Sequence, residues 1–453
     1  LAYFAVMMKA RQYDRRFFTR GIQPQIYEIM ESNNADKSSV DYFCGDDITL
    51  KNDVEVLVDT LKDAKEYGSI LQIPEIDFEK INGRFEQVAD EISMYNTYLL
   101  GDFKSIIDPA YLMSKKYAVV ATNPPYLNKY DPKLKKFITD NYADYKGDLF
   151  SVFMYRNFEY CLTGGYSSFM TPMVWMFIQT YEKLRRMILE TKGIHTLIQM
   201  EYSAYEEATV PICAFVLRNY RTDEAGYYFK LSDFVGGMDV QRQKVIEAQN
   251  NKQCGYYFEA DSKKFNQVEG SPISYWVTDS IYNAYKNPNL NMLAQPRHGL
   301  ATSDNARFLR LWHEVDINKA SLIKKCDFDK KWFPMNKGGA YRKWYGNLDW
   351  VINYENDGKE LKDFAISIYN CSTRTIQNTQ FYFKESLTWS ALTSGAFSVR
   401  WSDVGALFGS GGYSAFVQPD LLKYVLALMN SKVNASFIKI LSPTLNYEVG
   451  HIK

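Results

Sequence analysis

The stretch that decides the fold of this chain is Tyr117-Ala118-Val119-Val120-Ala121-Thr122-Asn123-Pro124-Pro125-Tyr126. Its first six residues form a short apolar run, which predicts a buried strand. Pro124 and Pro125 cannot donate to a sheet ladder, and they disfavour an immediate helix. The backbone after Thr122 must therefore form an extended, stiff loop that the strand holds in a fixed direction.

The loop has the side chains for one chemical task. The Asn123 side-chain oxygen and the Pro124 carbonyl supply two acceptors for an exocyclic amino group, and Tyr126 offers a ring face for a planar base. An amine conjugated to an aromatic ring is a poor nucleophile. Drawing its two N–H bonds toward fixed acceptors frees the lone pair for attack on an electrophilic methyl group. Asn-Pro and Pro-Pro are also ordinary turn dipeptides, so this interpretation depends on the surrounding pattern.

Helices and strands alternate along the chain after the loop. Helices are predicted at residues 133–139, 148–162 and about 174–191, and strands at residues 166–171, 194–200 and 212–217. Asp148 is a candidate helix N-cap, and glycines 164 and 165 are a candidate helix stop. This alternation predicts an α/β fold in which helices cover a parallel sheet.

Two further strands are predicted before the loop. Residues 1–18 have helical spacing, and a strand at residues 23–30 would end at Glu31. A second strand-like segment, residues 98–101, precedes Asp102. Residues 34–100 have long polar helical patterns and few turn signals, which predicts a helical insertion between the two strands.

Seven parts of the sequence carry a resemblance to a known family. They are Leu1-Ala2-Tyr3-Phe4-Ala5-Val6-Met7-Met8-Lys9-Ala10-Arg11 with Tyr13-Asp14-Arg15-Arg16, Val120-Ala121-Thr122-Asn123-Pro124-Pro125-Tyr126, Lys146-Gly147-Asp148-Leu149-Phe150, Glu206-Glu207-Ala208-Thr209-Val210-Pro211, Arg307-Phe308-Leu309-Arg310-Leu311-Trp312, Arg342-Lys343-Trp344-Tyr345-Gly346-Asn347 and Asn446-Tyr447-Glu448-Val449-Gly450-His451. With them the chain resembles the amino-methylating DNA methyltransferases of the gamma class. Within that class it is similar to the PglX methyltransferases of phage-defence (BREX) systems and to type IIG restriction-modification enzymes, over nearly its whole length.

The resemblance implies a Rossmann-like class I methyltransferase sheet, S-adenosylmethionine as the methyl donor and adenine N6 in duplex DNA as the acceptor. It implies that Asn123, Pro124, Pro125 and Tyr126 are catalytic, and that an aromatic residue matching Tyr205 packs on the opposite face of the flipped base. Tyr205 can equally be a residue that closes the edge of the sheet.

The family also implies an acidic or amide residue near the adenine of the cofactor. Glu31 is the candidate for this position, with Asp102 as its rival, although either can be a solvated loop residue. The glycine-rich loop that the family carries after its first strand is not found in the sequence, which begins with Leu. We therefore expect a fragment that lacks its N-terminal cofactor-binding part and binds the cofactor weakly.

We predict three parts along the chain. Residues 1–220 are the methyltransferase catalytic domain, residues 221–270 are a hinge or connecting segment, and residues 271–453 are an α+β target-recognition domain that binds DNA. Between residues 296 and 345, eleven Lys or Arg outnumber five acidic residues, an excess that suits a phosphate backbone. A charge run is also typical of a solvated surface.

Within that region, residues 337–346 combine glycines for close approach, cations for phosphate and aromatic rings for stacking. The DNA-binding candidates are Lys337, Arg342, Lys343, Trp344 and Tyr345.

Composition sets limits but does not identify the protein. With 453 residues, 46% of them hydrophobic, and a net charge of zero, the chain can bury substantial cores but cannot be uniformly basic. Six cysteines without a Cys-x-x-Cys pair and four histidines without ligand spacing predict no metal site and a reducing compartment. No apolar run approaches the roughly 20 residues of a membrane span, so we expect a cytoplasmic protein without a membrane partner.

Other functions stay open at this point. The same tetrapeptide serves enzymes that methylate glutamine side chains of proteins, and cytosine also presents an exocyclic amine. A fused nuclease would have to lie outside these residues. The chain can also be a fragment that only binds DNA or another defence-system protein.

Overall fold

The computed structural model describes residues 1–89, 94–202, 204, 210–321, 324, 326–393, 395–442 and 446–452, with the backbone alone for residues 89, 94–100 and 102. The chain forms two compact units. The first comprises Leu1–Trp175 and Lys183–Asp261, and the second comprises Met176–Glu182 and Ser262–Lys453.

The first unit is built on a six-stranded sheet. Its strands are β1 (Tyr117–Thr122), β2 (Cys161–Pro172), β3 (Gly193–Gln199), β4 (Ile212–Arg218), β5 (Gly226–Lys230) and β6 (Tyr257–Ala260). They lie in the order β1-β2-β4-β3-β5-β6. Strands β1, β2, β3 and β5 run in one direction, and β4 and β6 run in the other. The predicted α/β class is confirmed, but the sheet is mixed rather than parallel, because β4 pairs antiparallel with both β2 and β3.

Ten α-helices of the first unit are described. They are α1 (Ala2–Tyr13), α2 (Lys37–Cys44), α3 (Ile48–Thr60), α4 (Ala64–Tyr67), α5 (Phe78–Ala89), α6 (Met94–Ser114), α7 (Pro132–Asn141), α8 (Leu149–Tyr160), α9 (Glu182–Thr191) and α10 (Gly237–Asn250). The predicted helical insertion is observed as α2 to α6, which share a hydrophobic core around Phe43, Leu57 and Ile107.

The two faces of the sheet differ in burial. Along β2, Ser167, Phe169 and Thr171 are buried, whereas Ser168 and Met170 on the opposite face are half-buried. Phe158 of α8 packs edge-on against Phe169, with 6.2 Å between ring centroids. Helix α8 therefore covers one face near the carboxyl end of β1, and the alternating burial follows from the two-residue period of a strand.

The prediction of two strands before the loop, at residues 23–30 and 98–101, is wrong. Residues 98–101 lie inside α6, because the apolar residues that follow them, from Phe103 to Ala110, recur at helical spacing. Residues 23–30 belong to no helix or strand. Ile29 and Met30 instead pack against the helical core, which partly buries them without a strand partner.

The boundary predicted at residue 220 also differs from the observed one. The predicted connecting segment 221–270 forms β5, β6 and α10, and its two strands complete the six-stranded sheet. The first unit consequently reaches Asp261. Tyr228 and Phe229 of β5 are buried, so this segment contributes to the core of the unit.

The second unit has an α+β architecture with two four-stranded sheets. Its strands are β7 (Ala294–Arg297), β8 (Leu309–Leu311), β9 (Trp332–Asn336), β10 (Trp350–Asn353), β11 (Ser386–Ser390), β12 (Val399–Ser402), β13 (Leu407–Phe408) and β14 (Gly412–Val417). The sheets have the orders β13-β9-β10-β8 and β12-β11-β14-β7. The helices are α11 (Asp279–Ala284), α12 (Asn305–Phe308), α13 (Glu355–Tyr369), α14 (Pro419–Met429) and α15 (Lys432–Leu441).

Each of these two sheets contributes to a separate hydrophobic core. Phe333, Ile352 and Leu407 lie in one core, and Leu387 and Trp389 lie in the other. Over the described ranges of both units, no helix is long and apolar enough to cross a membrane.

Candidate active site

The predicted loop leaves the sheet at the carboxyl end of β1. Thr122, the last residue of β1, pairs with Phe169 of the parallel strand β2. Asn123, Pro125 and Tyr126 are exposed, whereas Pro124 is buried. The loop is thus held by its second residue and presents the other three outward. This is the direction that parallel strands give to the residues that follow them.

Tyr126 is anchored at its hydroxyl end. The hydroxyl donates to the main-chain carbonyl of Met170 in β2 at 3.2 Å and lies 3.3 Å from Asn123 Oδ1. The ring meets Phe150 of α8 edge-on, with 6.4 Å between centroids, and the residue is 39% exposed. These contacts fix the direction of the ring and leave part of it accessible for stacking.

Asp148 holds the residue that follows the tetrapeptide. Its Oδ1 accepts the main-chain N–H of Leu127 at 2.9 Å and that of Phe150 at 3.3 Å. In return, the Leu149 N–H donates to the Leu127 carbonyl at 2.8 Å. Asp148 is 7% exposed, and burial raises the pKa of its carboxyl above the ordinary value. The first turn of α8 is therefore tied to the end of the loop.

The sequence predicts Asp148 as a helix cap but does not predict its contact with the loop. The cap itself is observed, together with a capping box in which Ser151 Oγ accepts the Asp148 N–H. A usable signal was present in the stretch Lys146-Gly147-Asp148-Leu149-Phe150, which carries part of the family resemblance.

An open depression of about 400 Å³ lies on the less covered face of the sheet, and Asn123 lies at its margin. Its lining residues are apolar or small and uncharged: Ala121, Thr122, Asn123, Ser168, Phe169, Met170, Thr196, Ile198, Ala214, Phe215 and Val216. The polar loop therefore borders an apolar surface of a size that small ligands occupy.

The two candidates for cofactor contact are not brought to the loop by strand ends. Glu31 is half-buried in a segment without regular structure, and the next residue, Ser32, donates its N–H to the Leu61 carbonyl. Asp102 lies within α6, and its side chain is outside the described part of the chain. Both positions were argued from strands that do not form, so the geometric reason for choosing them is lost.

Tyr205 also lies outside the described residues. The strand that precedes it, β3, ends close to Glu201, which is 3% exposed. Glu201 Oε1 accepts the N–H groups of Gly236 and Gly237 at 3.0 and 2.7 Å. Glu201 is thereby tied to the first turn of α10.

The five predicted DNA-binding residues lie in one connection of the second unit, between β9 and β10. Arg342, Trp344 and Tyr345 are exposed. Lys337 Nζ lies 4.0 Å from the centroid of the Trp350 ring, and burial lowers its pKa. Lys343 Nζ donates to the Asn430 carbonyl at 2.8 Å. Both lysine ammonium groups thus make contacts inside the unit. Tyr341 in the same loop also has an exposed ring, although it was not among the predicted DNA-binding residues. Its position in the loop was the signal that could have identified it.

A buried arginine lies behind this loop. Arg400 in β12 is 1% exposed, and its Nε and Nη1 have no hydrogen-bond partner among the described residues. Its Nη2 donates to Ser390 Oγ at 3.4 Å. Burial and the charge of Arg342 lower the pKa of Arg400 to about 10, so it stays charged at neutral pH and adds to the positive potential at the base of the loop.

The described residues show no group of three or more His, Cys, Asp or Glu side chains arranged to hold a metal ion. The six cysteines are all free thiols, and Cys44, Cys161 and Cys213 are buried. Burial raises the pKa of Cys44 to about 11 and that of Cys213 to about 12, which keeps these thiols protonated.

This chain is similar to known methyltransferases in sequence. Residues 7–205 match the sequence model of the family described as Eco57I restriction-modification methylase. The whole chain aligns with the adenine-specific methyltransferase PglX of Lacticaseibacillus casei (strain Zhang), at 32% identity, and with the adenine-specific methyltransferase BrxX of Escherichia coli O9:H4 (strain HS), at 30% identity. It spans 39% of the length of each of these curated relatives.

Among solved structures, the type IIL restriction-modification enzyme MmeI in complex with DNA is similar at a TM-score of 0.49 and 12% identity. The match covers 74% of this chain and 45% of that one. The residues matched by the family model include β1, the Asn123-Pro124-Pro125-Tyr126 loop and Asp148. Residues 7–205 of this chain, which include the loop, are therefore similar to the Eco57I restriction-modification methylases.

Proposed function

We propose that this chain contributes the catalytic loop of a DNA methyltransferase that transfers a methyl group from S-adenosylmethionine to adenine N6. In this proposal the enzyme acts in a restriction-modification or phage-defence system. The observation that carries the proposal is the pairing of an exposed amide, Asn123, with an anchored and partly exposed ring, Tyr126, at the carboxyl end of β1. The names of the relatives, adenine-specific methyltransferases, support the choice of base.

The loop would act on the acceptor amine. The contact between the Tyr126 hydroxyl and Asn123 Oδ1 is long, at 3.3 Å, so an adenine amino group can replace it as the donor to this oxygen. The Pro124 carbonyl would accept the second N–H. With both N–H bonds directed at fixed acceptors, the nitrogen lone pair leaves conjugation with the ring and becomes nucleophilic.

The methyl donor would supply the electrophilic carbon. The residues predicted to contact it were chosen from strands that do not form: Glu31 lies in a segment without regular structure, and Asp102 lies within α6. We therefore assign no residue of this chain to hold the donor, and the mechanism proposed here concerns the base alone. Stacking on Tyr126 would keep the flipped adenine in place while its amine is oriented.

The second unit would bind the DNA. Its exposed residues Arg342, Trp344 and Tyr345 offer one cation and two rings, a combination that suits a phosphate backbone and unstacked bases. Because the net charge of the whole chain is zero, this local group and the buried charge of Arg400 matter more than the average composition.

The first prediction concerns Asn123. Asn123→Ala should abolish methylation of adenine in duplex DNA by the intact enzyme, because the amine loses a fixed acceptor, while the Kd for DNA should stay close to the wild-type value. Transfer of a labelled methyl group to DNA measures the first quantity, and fluorescence anisotropy measures the second.

The matched control is Asn128→Ala, which removes an exposed amide five residues further along the same connection. It should methylate at the wild-type rate. Wild-type methylation by the Asn123→Ala variant would show that the assignment of Asn123 is wrong. A wild-type enzyme that methylates a glutamine-containing peptide but no DNA would show that the proposed substrate is wrong.

A further inference from the structure

We propose that Asp148 is the positioning residue of the catalytic loop. Its carboxylate holds the main-chain N–H of Leu127 and thereby sets where Asn123 and Tyr126 stand relative to the base. The inference rests on the proposed function, in which these two residues contact adenine. It gives a role to a residue that does not itself touch the substrate.

The loop has three attachments, and Asp148 provides the one at its far end. Its near end continues from β1, and the Tyr126 hydroxyl is bonded to Met170 in β2. Beyond Tyr126, Leu127 is gripped on both main-chain atoms, by the Asp148 carboxylate at 2.9 Å and by the Leu149 N–H at 2.8 Å. The four residues between β1 and Leu127 are therefore fixed at both ends.

Two other aspartate caps in the same unit, Asp131 and Asp36, accept only from their own helices among the described contacts, whereas a third, Asp47, also accepts from the ammonium group of Lys80. Asp131 accepts the N–H groups of Lys133 and Leu134 in its own helix, α7, and Asp36 accepts that of Ser39 in α2. Both of these residues are exposed. Asp148 is 7% exposed and reaches Leu127, 21 residues earlier. A helix cap gains nothing from burial, because desolvation disfavours the charged form.

Burial of a carboxylate is justified where it must hold a main-chain N–H donor firmly. Hydrogen bonds to an ionised acceptor are shorter and stronger than those to a neutral one, so the carboxylate restrains Leu127 more tightly than a hydroxyl would. If the restraint is lost, Asn123 and Tyr126 move relative to each other. A displacement of about 1 Å can cost on the order of 100-fold in rate without changing ground-state binding.

Three variants separate positioning from helix capping. Asp148→Ser keeps a good N-cap for α8, but its shorter side chain cannot reach Leu127. Asp148→Asn keeps an oxygen that can accept both N–H groups and removes the charge. Asp36→Ala is the control, because it removes a helix cap of α2 that does not contact the loop.

The readouts are kcat and KM on duplex DNA with the intact enzyme, and hydrogen exchange at the Leu127 amide. Asp148→Ser should lower kcat by roughly 10- to 100-fold, keep KM within about threefold and speed exchange at Leu127. Asp148→Asn should keep kcat within about fivefold and keep the slow exchange. Asp36→Ala should leave kcat, KM and Leu127 exchange unchanged.

The proposal is overturned if Asp148→Ser keeps kcat within about twofold of wild type, or if Asp148→Asn loses as much activity as Asp148→Ser. If Asp148→Ser fails to fold, hydrogen exchange in the wild-type protein tests the proposal instead. A Leu127 amide that exchanges as fast as the Lys129 amide would also overturn the proposal. Exchange is measured without methylation. Suppose that the wild-type protein methylates no DNA but Asp148→Ser still speeds exchange at Leu127. This result would support the positioning role of Asp148 and would refute only the proposed function.

Discussion

Two hydrogen bonds that anchor the loop each join a side chain to a main-chain atom, which limits how much of the anchoring could be predicted from the sequence. Asn123 and Tyr126 were recognisable as an acceptor and a ring because their side chains carry those properties. Their anchors, the Met170 carbonyl and the Leu127 N–H, were not recognisable. Every non-proline residue has a main-chain carbonyl and N–H, so the sequence does not distinguish these two. Only folding shows which backbone groups meet, so Asp148 could be predicted as a helix cap but not as the partner of Leu127.

At the same scale, Asp148 predicts a pH dependence of stability. Because burial raises the pKa of its carboxyl, the folded chain binds this proton more tightly than the unfolded chain does. The stability contributed by the carboxyl is complete below its ordinary pKa of about 3.9 and is lost as pH rises through the higher folded-state value. Asp148→Asn stays neutral, so its Tm should gain on the wild-type Tm as the pH rises from about 4 to about 7.

Asp36→Asn is the matched control for this measurement, because its sign is opposite. Hydrogen bonds from Ser39 lower the pKa of Asp36, so its contribution to stability is present above the ordinary carboxyl pKa and is lost in acid. The Asp36→Asn variant should therefore fall behind the wild type, if only slightly, as pH rises. A Tm difference for Asp148→Asn that is constant across the pH series would contradict the role of burial.

Individual elements were predictable where caps and periodicity agreed over their full length. The helix predicted at residues 148–162 is α8 (Leu149–Tyr160), and the strand predicted at residues 212–217 is β4 (Ile212–Arg218). The strand predicted at residues 98–101 failed because four apolar residues fit a strand and a buried helix equally well. The longer periodicity beyond Phe103 decided the outcome, as α6 runs through both segments.

Helix α6 therefore predicts a specific pattern of stability changes. Ile107 is 1% exposed in the helical core, so Ile107→Ala should lower the free energy of unfolding by about 2–5 kcal/mol. Lys104→Ala, on the exposed side of the same helix, should change it by less than about 0.5 kcal/mol. Urea unfolding followed by circular dichroism measures both values. Equal effects of the two substitutions would be incompatible with the observed orientation of α6.

For the whole molecule, charge is informative by its position. The net charge of the chain is zero, but residues 337–346 contain several cations and no acidic residue. This local excess of positive charge could be predicted from the sequence. The sequence could not show that Lys337 and Lys343 direct their ammonium groups to Trp350 and to the Asn430 carbonyl, because both contacts join segments that meet through folding. Arg342 remains as the exposed cation among the five predicted residues.

Arg342→Ala should thus weaken DNA binding and reduce its salt dependence. Removing one phosphate contact should make the slope of log Kd against log salt concentration smaller by about 0.9. Anisotropy titrations at several salt concentrations measure this slope. Arg374→Ala is the control, since it removes an exposed arginine of the second unit that stacks on Tyr369, and it should leave the slope unchanged. Equal losses in the two variants would refute a specific role of Arg342.

The position of β1 also affects how the purified chain behaves when concentrated. The strand is hydrogen-bonded to β2 on one side, and no strand of the described ranges pairs with it on the other. Val119 on this strand is 63% exposed. An unpaired edge strand can form hydrogen bonds with a strand of a neighbouring molecule, as happens when proteins aggregate. A high concentration of the purified chain should therefore favour self-association through the strand that precedes Asn123.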